Sequence, residues 1–366
     1  MPIRPPDPML PIANGRWPVR GELPVLGQQN DITYYASHAA SVLNDTRMTG
    51  MPYWSVNPYT GCAFGCAYCY ARYAHRYVME RAVTAHTLPD DSTAAIAAIP
   101  PWLAFERHIV VKRNAPDALA RALRQGGPRH LALLKGEMIL IGTATDPYQP
   151  AERRYRITRG ILEVFAAHPG LHIGIITKSP LITRDADLLA RIARRSEISV
   201  TLSLITTDRA LARRLEPRAP TPESRLRAIA RLRDAGVEAG VNIMPVLPGI
   251  TDDPVMLETL VREVARAGAS RIGVAALRLQ HEARKRYLPF IAQEFPHLAA
   301  SYAAAYARDS NVSERYRQGL SRFVKQLGRK YGIRVGWRAE DPEAEPDAAV
   351  AEAPPPDPQL AFEFAS

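Results

Sequence analysis

The 366-residue chain has three cysteines, all within Gly61-Cys62-Ala63-Phe64-Gly65-Cys66-Ala67-Tyr68-Cys69. The spacing Cys-x3-Cys-x2-Cys puts three soft sulfur ligands on one short loop and leaves no fourth cysteine elsewhere. A structural zinc site takes four protein ligands, and a disulfide framework takes an even number of cysteines. An iron–sulfur cluster held by three thiolates instead leaves one iron open to a further ligand. Zinc completed by His75 or His86, and three unconnected thiols, are the competing readings. Gly61 and Gly65 permit the tight turns that would aim three thiolates at one cluster. The small and apolar residues around them would keep water from a metal and tune its potential.

Such a loop needs a rigid frame, and the hydrophobic pattern supplies one. Short apolar runs at Trp54–Asn57, Met138–Thr143, His172–Thr177, Ile198–Leu204, Gly240–Val246 and Arg271–Leu277 read as strands buried on both faces. Amphipathic runs between them predict helices over Arg156–Ala167, Arg184–Arg194, Pro222–Ala235 and Pro254–Ala267. Thr221 and Asp253 are N-cap residues, each followed by proline, and Gly170, Gly236 and Gly268 are helix stops. Strand–helix alternation predicts an α/β fold with parallel strands joined by right-handed crossovers. Six units are too few for a closed eight-fold barrel. They predict a partial (β/α)6, TIM-like barrel with its site at the C-terminal strand ends, where the cysteine loop falls. Ile109–Lys112 is a further strand with no evident place.

Composition is that of a globular chain, 46% hydrophobic and 23% charged. No apolar run is long enough to span a bilayer. The proline-rich N-terminus lacks a signal-peptide pattern, and three clustered thiols suit a reducing compartment, so the expectation is cytoplasmic. The net charge of +10 comes almost wholly from arginine, the lysines being only Lys112, Lys135, Lys178, Lys285, Lys325 and Lys330. Arginine pairs with phosphate, which makes nucleic acid a candidate partner. The alternative is arginine on solvated helix faces, as read for Arg225, Arg227, Arg231 and Arg233.

The cysteine spacing, with aromatic Tyr68 just before the last ligand, resembles the cluster loop of radical S-adenosylmethionine enzymes. The resemblance implies a partial barrel with a 4Fe-4S cluster whose free iron is chelated by the methionyl group of S-adenosyl-L-methionine. It further implies reductive cleavage to a 5′-deoxyadenosyl radical that abstracts hydrogen from a substrate, and a reducing partner such as flavodoxin or ferredoxin. Asn57-Pro58-Tyr59-Thr60-Gly61-Cys62, Cys69-Tyr70-Ala71-Arg72, the stretch Gly142–Glu152, Thr177-Lys178-Ser179 and Leu215-Glu216-Pro217-Arg218 are similar to one subgroup. That subgroup is related to spore photoproduct lyase and often labelled DNA repair photolyase; the similarity runs from about Val42 to Leu279.

Carried onto this chain, the resemblance makes Cys62, Cys66 and Cys69 iron ligands and lays Tyr68 against the adenine. Thr143, Thr145 and Asp146 stand where the superfamily has a Gly-Gly-Glu segment that binds the methionyl amine, so Asp146 would replace that segment or simply start a turn. Lys178 would meet the methionyl carboxylate, Ser203 the ribose or carboxylate, and Asn242 and Pro245 would pass the cofactor. Asp146 and Lys178 are the candidate catalytic pair. Glu216 and Arg218 would contact substrate or form a buried pair.

The related lyase returns hydrogen to its product from a cysteine outside the loop. This chain has none, so hydrogen return would need a tyrosine, recovery from 5′-deoxyadenosine, or would not occur. The expected organisation is an N-terminal extension (1–45), the barrel core (46–280), a helical region (281–337) and a disordered acidic, proline-rich tail (338–366). The helical region, with Tyr302, Tyr306 and Tyr316 among arginines, reads as a cap on the barrel or as a grip for single-stranded nucleic acid. The tail's last apolar residues, Gln359–Phe364, faintly resemble peptides that bind sliding clamps. Three functions follow: hydrogen abstraction on nucleic acid or another macromolecule, the same chemistry on a small metabolite or peptide, or non-catalytic cluster or clamp-associated binding.

Overall fold

A computed structural model of the chain describes residues 25–74, 99–124 and 126–336. The strands are β1 (Val25–Gln29), β2 (Ile32–Ser37), β3 (Leu43–Asn44), β4 (Trp54–Val56), β5 (Tyr59–Thr60), β6 (His108–Lys112), β7 (Met138–Ile141), β8 (His172–Thr177), β9 (Glu197–Ser203), β10 (Ala239–Val246), β11 (Arg271–Ala276) and β12 (Arg334–Val335). Eight of them form one open sheet in the order β12-β11-β10-β9-β8-β7-β4-β3. The run β4-β7-β8-β9-β10-β11 is parallel throughout. These are the six expected units, side by side in chain order, as right-handed crossovers require. Helices Ile157–Ala167, Ala186–Ala193, Pro222–Asp234 and Pro254–Arg266 join them. Ile139, Ile173, Val200, Val241 and Ile272 pack with Ile161, Leu189, Ile229 and Val261 in the main core.

Two helix starts differ from expectation. Asp253 caps its helix, accepting from the amides of Val255 and Met256 at 3.0 Å each, whereas the Thr221 side chain makes no cap bond. The second helix, Ala186–Ala193, is preceded by a 3-10 turn over Pro180–Asp185, started where the Ser179 hydroxyl accepts from Leu181 N.

The unplaced strand is β6, which belongs to a second sheet ordered β1-β2-β6-β5. Residues 25–37, inside the expected extension, make a hairpin whose β2 runs parallel to β6. The buried sequence Tyr34-Tyr35-Ala36 explains why: this segment has a face to cover. β5 pairs with the other edge of β6, so this small sheet carries the entrance to the cysteine loop.

After β11 the chain runs through helices His281–Glu294, Ala299–Ala305 and Glu314–Tyr331. The last of these lies against β11, and β12 then extends the main sheet. Tyr302 and Tyr306 are fully buried, donating to Pro248 O at 2.7 Å and Leu277 O at 2.9 Å. They fasten the helical region to the ends of β10 and β11, which makes them pegs of a cap and not stacking surfaces for bases. Gln359–Phe364 and the tail lie outside the described residues. Among the described residues, no helix is long and apolar enough to cross a membrane.

Candidate active site

The cysteine loop leaves β5 at the mouth, where the C-terminal ends of the barrel strands converge. Gly61 and Gly65 hold left-handed φ of +83° and +67°. A Cβ at Gly65 would stand 2.7 Å from Arg218 Nη2 and 2.8 Å from Glu106 Oε2, so strain and crowding both select glycine. The loop backbone is tied on all sides. Cys62 N donates to Phe105 O at 2.9 Å, and Ala67 N to Leu215 O at 2.9 Å. The Gln149 amide accepts from Ala63 N and donates to Gly61 O, both at 3.0 Å. Thr145 Oγ1 adds a 2.6 Å bond to Gly61 O. Fully buried Arg72 donates to Cys66 O at 2.7 Å and pairs with Glu106 at 3.1 Å.

All three cysteines are free thiols, Cys62 and Cys66 buried and Cys69 half-buried. They join Phe64, Tyr68, Phe105, Leu215 and the cap residues Tyr287 and Ile291 in a second apolar core. Burial pushes the Cys62 thiol up to about 12 and raises Cys66 and Cys69 as well. Among the described residues no three His, Cys, Asp or Glu side chains gather as ligands of a single ion. His75 and His86, which the zinc reading needs, lie outside the described residues.

A buried charge network stands beside the loop. Glu216 accepts from the Tyr68 hydroxyl and from Arg225, and Lys178 Nζ lies 3.9 Å from it. Lys178 also sits 5.6 Å from the centre of the Tyr68 ring, within cation–π range. Burial pushes the Glu216 carboxyl up, but Arg225 and Lys178 outweigh it and hold the group below its ordinary value. Burial likewise works against the Lys178 ammonium, yet Cys66 and Glu216 raise it.

This corrects the reading of Arg225 as a solvated helix-face residue. Arg225 is 1% exposed, because it shares the inward stripe of Ala228, Ile229 and Leu232, while Arg227, Arg231 and Arg233 on the same helix are exposed. The pairing of Glu216 with Arg218 does not form either. Arg218 turns to the cysteine loop, donating to Ala63 O, and to Glu106.

Thr143, Thr145 and Asp146 follow β7. The Asn57 side chain holds this turn, donating to Thr143 Oγ1 at 3.2 Å and accepting from Ala144 N at 2.8 Å. Asp146 Oδ1 accepts from Thr177 Oγ1 at 2.6 Å and Tyr148 N at 2.9 Å, and Oδ2 from Lys178 N at 2.7 Å. It therefore clasps the end of β7 to the end of β8, and burial still pushes its carboxyl up against those bonds. Ser203 ends β9 and lies in register with Asn242 on β10. Asn242 is 5% exposed, and its Oδ1 finds no hydrogen-bond partner among the described residues. Buried amide oxygens are rarely left this way, and this one is an acceptor available to a donor.

The structure thus brings Tyr68 and Lys178 together around Glu216, fastens Asp146 to the Lys178 backbone, and sets Ser203 beside Asn242. Sequence reasoning missed Asn57, Gln149, Arg72 and Arg225. The first three fall inside the quoted motifs, and the spacing of Arg225 with the apolar residues of its helix was the available signal.

The profile of the radical SAM superfamily matches residues 56–261. An uncharacterised protein of Mycobacterium tuberculosis is 33% identical over 87% of this chain and 86% of its own length. Another, from Methanocaldococcus jannaschii, is 28% identical over 58% of this chain and 68% of its own. Among solved structures, spore photoproduct lyase complexed with dinucleoside spore photoproduct shares the fold at a TM-score of 0.57 and 14% identity, covering 83% of this chain and 82% of that one. A mutant of that lyase with bound AdoMet and dinucleoside spore photoproduct gives a TM-score of 0.56 at 13% identity over the same shares.

Proposed function

The chain belongs to the radical SAM superfamily, and we propose that it abstracts hydrogen from a nucleic-acid substrate at the barrel mouth. As a member it is an enzyme that uses a 4Fe-4S cluster and S-adenosyl-L-methionine and needs a reductant. Bound together, these groups supply one-electron cleavage of the sulfonium and a carbon radical able to take hydrogen.

The chain's own residues bind, orient and exclude water. Cys62, Cys66 and Cys69 would hold the cluster, their thiols giving up protons to the metal they ligate. Lys178 offers its ammonium to the methionyl carboxylate. The orphan Oδ1 of Asn242 offers an acceptor, Ser203 and Thr143 present hydroxyls at the ends of β9 and β7, and Thr145 acts through the loop by its bond to Gly61 O. Tyr68, pinned by Glu216, lies against the adenine. Asp146 fixes the Lys178 backbone, and its Oδ2, with one donor so far, has room for the methionyl amine. The cap and the second apolar core keep water from this volume.

The substrate class rests on the rim. Arg209 and Arg213, on the helix after β9, and Arg278, after β11, are exposed at C-terminal strand ends, whereas Arg214 and Lys285 beside them are paired with Glu294 and Glu282. Guanidinium groups in this setting suit phosphate, and spore photoproduct lyase, which shares the fold, was solved with a dinucleoside bound. A ferredoxin or flavodoxin is the electron donor in this reading. Anaerobic reconstitution with iron and sulfide, followed by dithionite, is expected to convert S-adenosylmethionine to methionine and 5′-deoxyadenosine. A fully loaded protein that yields neither product overturns the activity. Binding to DNA and RNA should weaken steeply with salt; affinity that ignores salt overturns the substrate class.

A further inference from the structure

We infer that Lys112, at the mouth end of β6, is a seat for a phosphate group of the substrate, which rests on the nucleic-acid reading above and gives it a position. Lys178, Lys285 and Lys330 each lie against a glutamate, at 3.9, 3.0 and 2.6 Å. Lys112 has no such partner among the described residues. Nζ donates to Asn57 O at 2.8 Å, and its other two N–H donors meet no partner among the described residues. The residue as a whole is half-buried, with its ammonium end desolvated beside Asn57. Burial alone displaces its amine, down to about 8, with no charged neighbour contributing. An ammonium held in this way costs the fold stability unless an anion compensates it.

Its address is the site itself. Lys112 N donates to Pro58 O, and Asn57-Pro58 is where the first barrel strand opens onto the mouth. The carbonyl of Asn57 meets Lys112, while its side chain holds Thr143 and Ala144 at the end of β7. One residue therefore separates Lys112 from the candidate cofactor-binding turn. An anion at Nζ would lie beside the cofactor volume, on the side opposite the arginines that follow β9 and β11 in sheet order. A compact ammonium suits a phosphate oxygen as a point charge.

The test uses the reconstituted full chain and a single-stranded 12-nucleotide DNA or RNA, with affinity measured by fluorescence anisotropy from low to high KCl. Lys112→Met should weaken binding roughly tenfold and reduce the slope of log affinity against log salt by about 0.7, the share of one single-strand phosphate. Lys112→Arg should restore most of the slope. If wild type binds with a salt slope and Lys112→Met keeps the same slope, the seat is overturned while the nucleic-acid reading stands. A Lys112→Met protein that melts several degrees lower with its slope unchanged assigns the lysine to the Asn57 junction alone, which also overturns it. Absence of any salt-dependent binding by wild type overturns both.

Discussion

At the scale of single residues, the decisive group is Glu216, because one carboxylate holds a residue of the cysteine loop and a residue of the following helix and faces the lysine just after β8. Arg225 neutralises it at contact, and Lys178 stands farther away, at 3.9 Å. The arrangement keeps Lys178 charged without tying up its ammonium. Arg225→Met should leave Glu216 buried and underpaired and destabilise the protein by about 3–5 kcal/mol, read as a lower urea midpoint. Tyr68→Phe removes one bond from an otherwise paired carboxylate. It should cost only about 1–2 kcal/mol by the same measurement. A Cys62→Ser chain should fold yet bind far less iron after reconstitution, measured as iron per chain beside loss of 5′-deoxyadenosine formation.

At the scale of elements, the small sheet β1-β2-β6-β5 is the support on which the cysteine loop is hung. His108 at the start of β6 is buried and bonds the Tyr35 hydroxyl through Nδ1 at 2.9 Å, linking β6 to β2. Burial, aided by Arg107, lowers its imidazole to about 4. The unfolded chain therefore takes up this proton at higher pH than the folded one. The resulting stability is complete above about pH 6.5 and is lost as pH falls towards 4, by up to about 3 kcal/mol. His108→Gln should flatten that part of the stability–pH profile in chemical denaturation. Within the loop, Gly65→Ala must accept a left-handed φ and push aside Arg218 and Glu106. It should lower cluster loading more than global stability, seen as reduced iron content at a melting temperature within a few degrees of wild type.

At the scale of the molecule, two cores share one sheet. The main core joins strands to the crossover helices, and the second joins the cysteine loop to the C-terminal cap. Tyr302 and Tyr306 belong to the second, their rings stacked at 5.9 Å and their hydroxyls spent on backbone carbonyls. Tyr302→Phe leaves Pro248 O without that donor and should cost about 1–3 kcal/mol. Its affinity for oligonucleotide should match wild type; a large affinity loss without a stability loss would return these tyrosines to a base-stacking role. The net charge of +10 is carried by exposed arginines on the crossover helices, such as Arg227, Arg231 and Arg233, as well as on the segments after β9 and β11, while Arg72 and Arg225 are consumed inside.

Much was legible in the sequence because it is written locally. Cysteine spacing, strand periodicity, helix stops and the six-unit order all follow from neighbours along the chain, and they specified the cluster loop, the partial barrel and the family. The partners of charged residues were not legible, because ion pairs form between positions far apart in sequence. Glu216 meets Arg225 and not Arg218, since helical spacing turns Arg225 inward; β6 joins a second sheet, since only β2 and β5 present edges to it. Tertiary structure alone decided that Lys112, one lysine among few, stands beside Asn57 with no carboxylate partner among the described residues. Burial and distance are properties of the packed chain, and no local pattern encodes them.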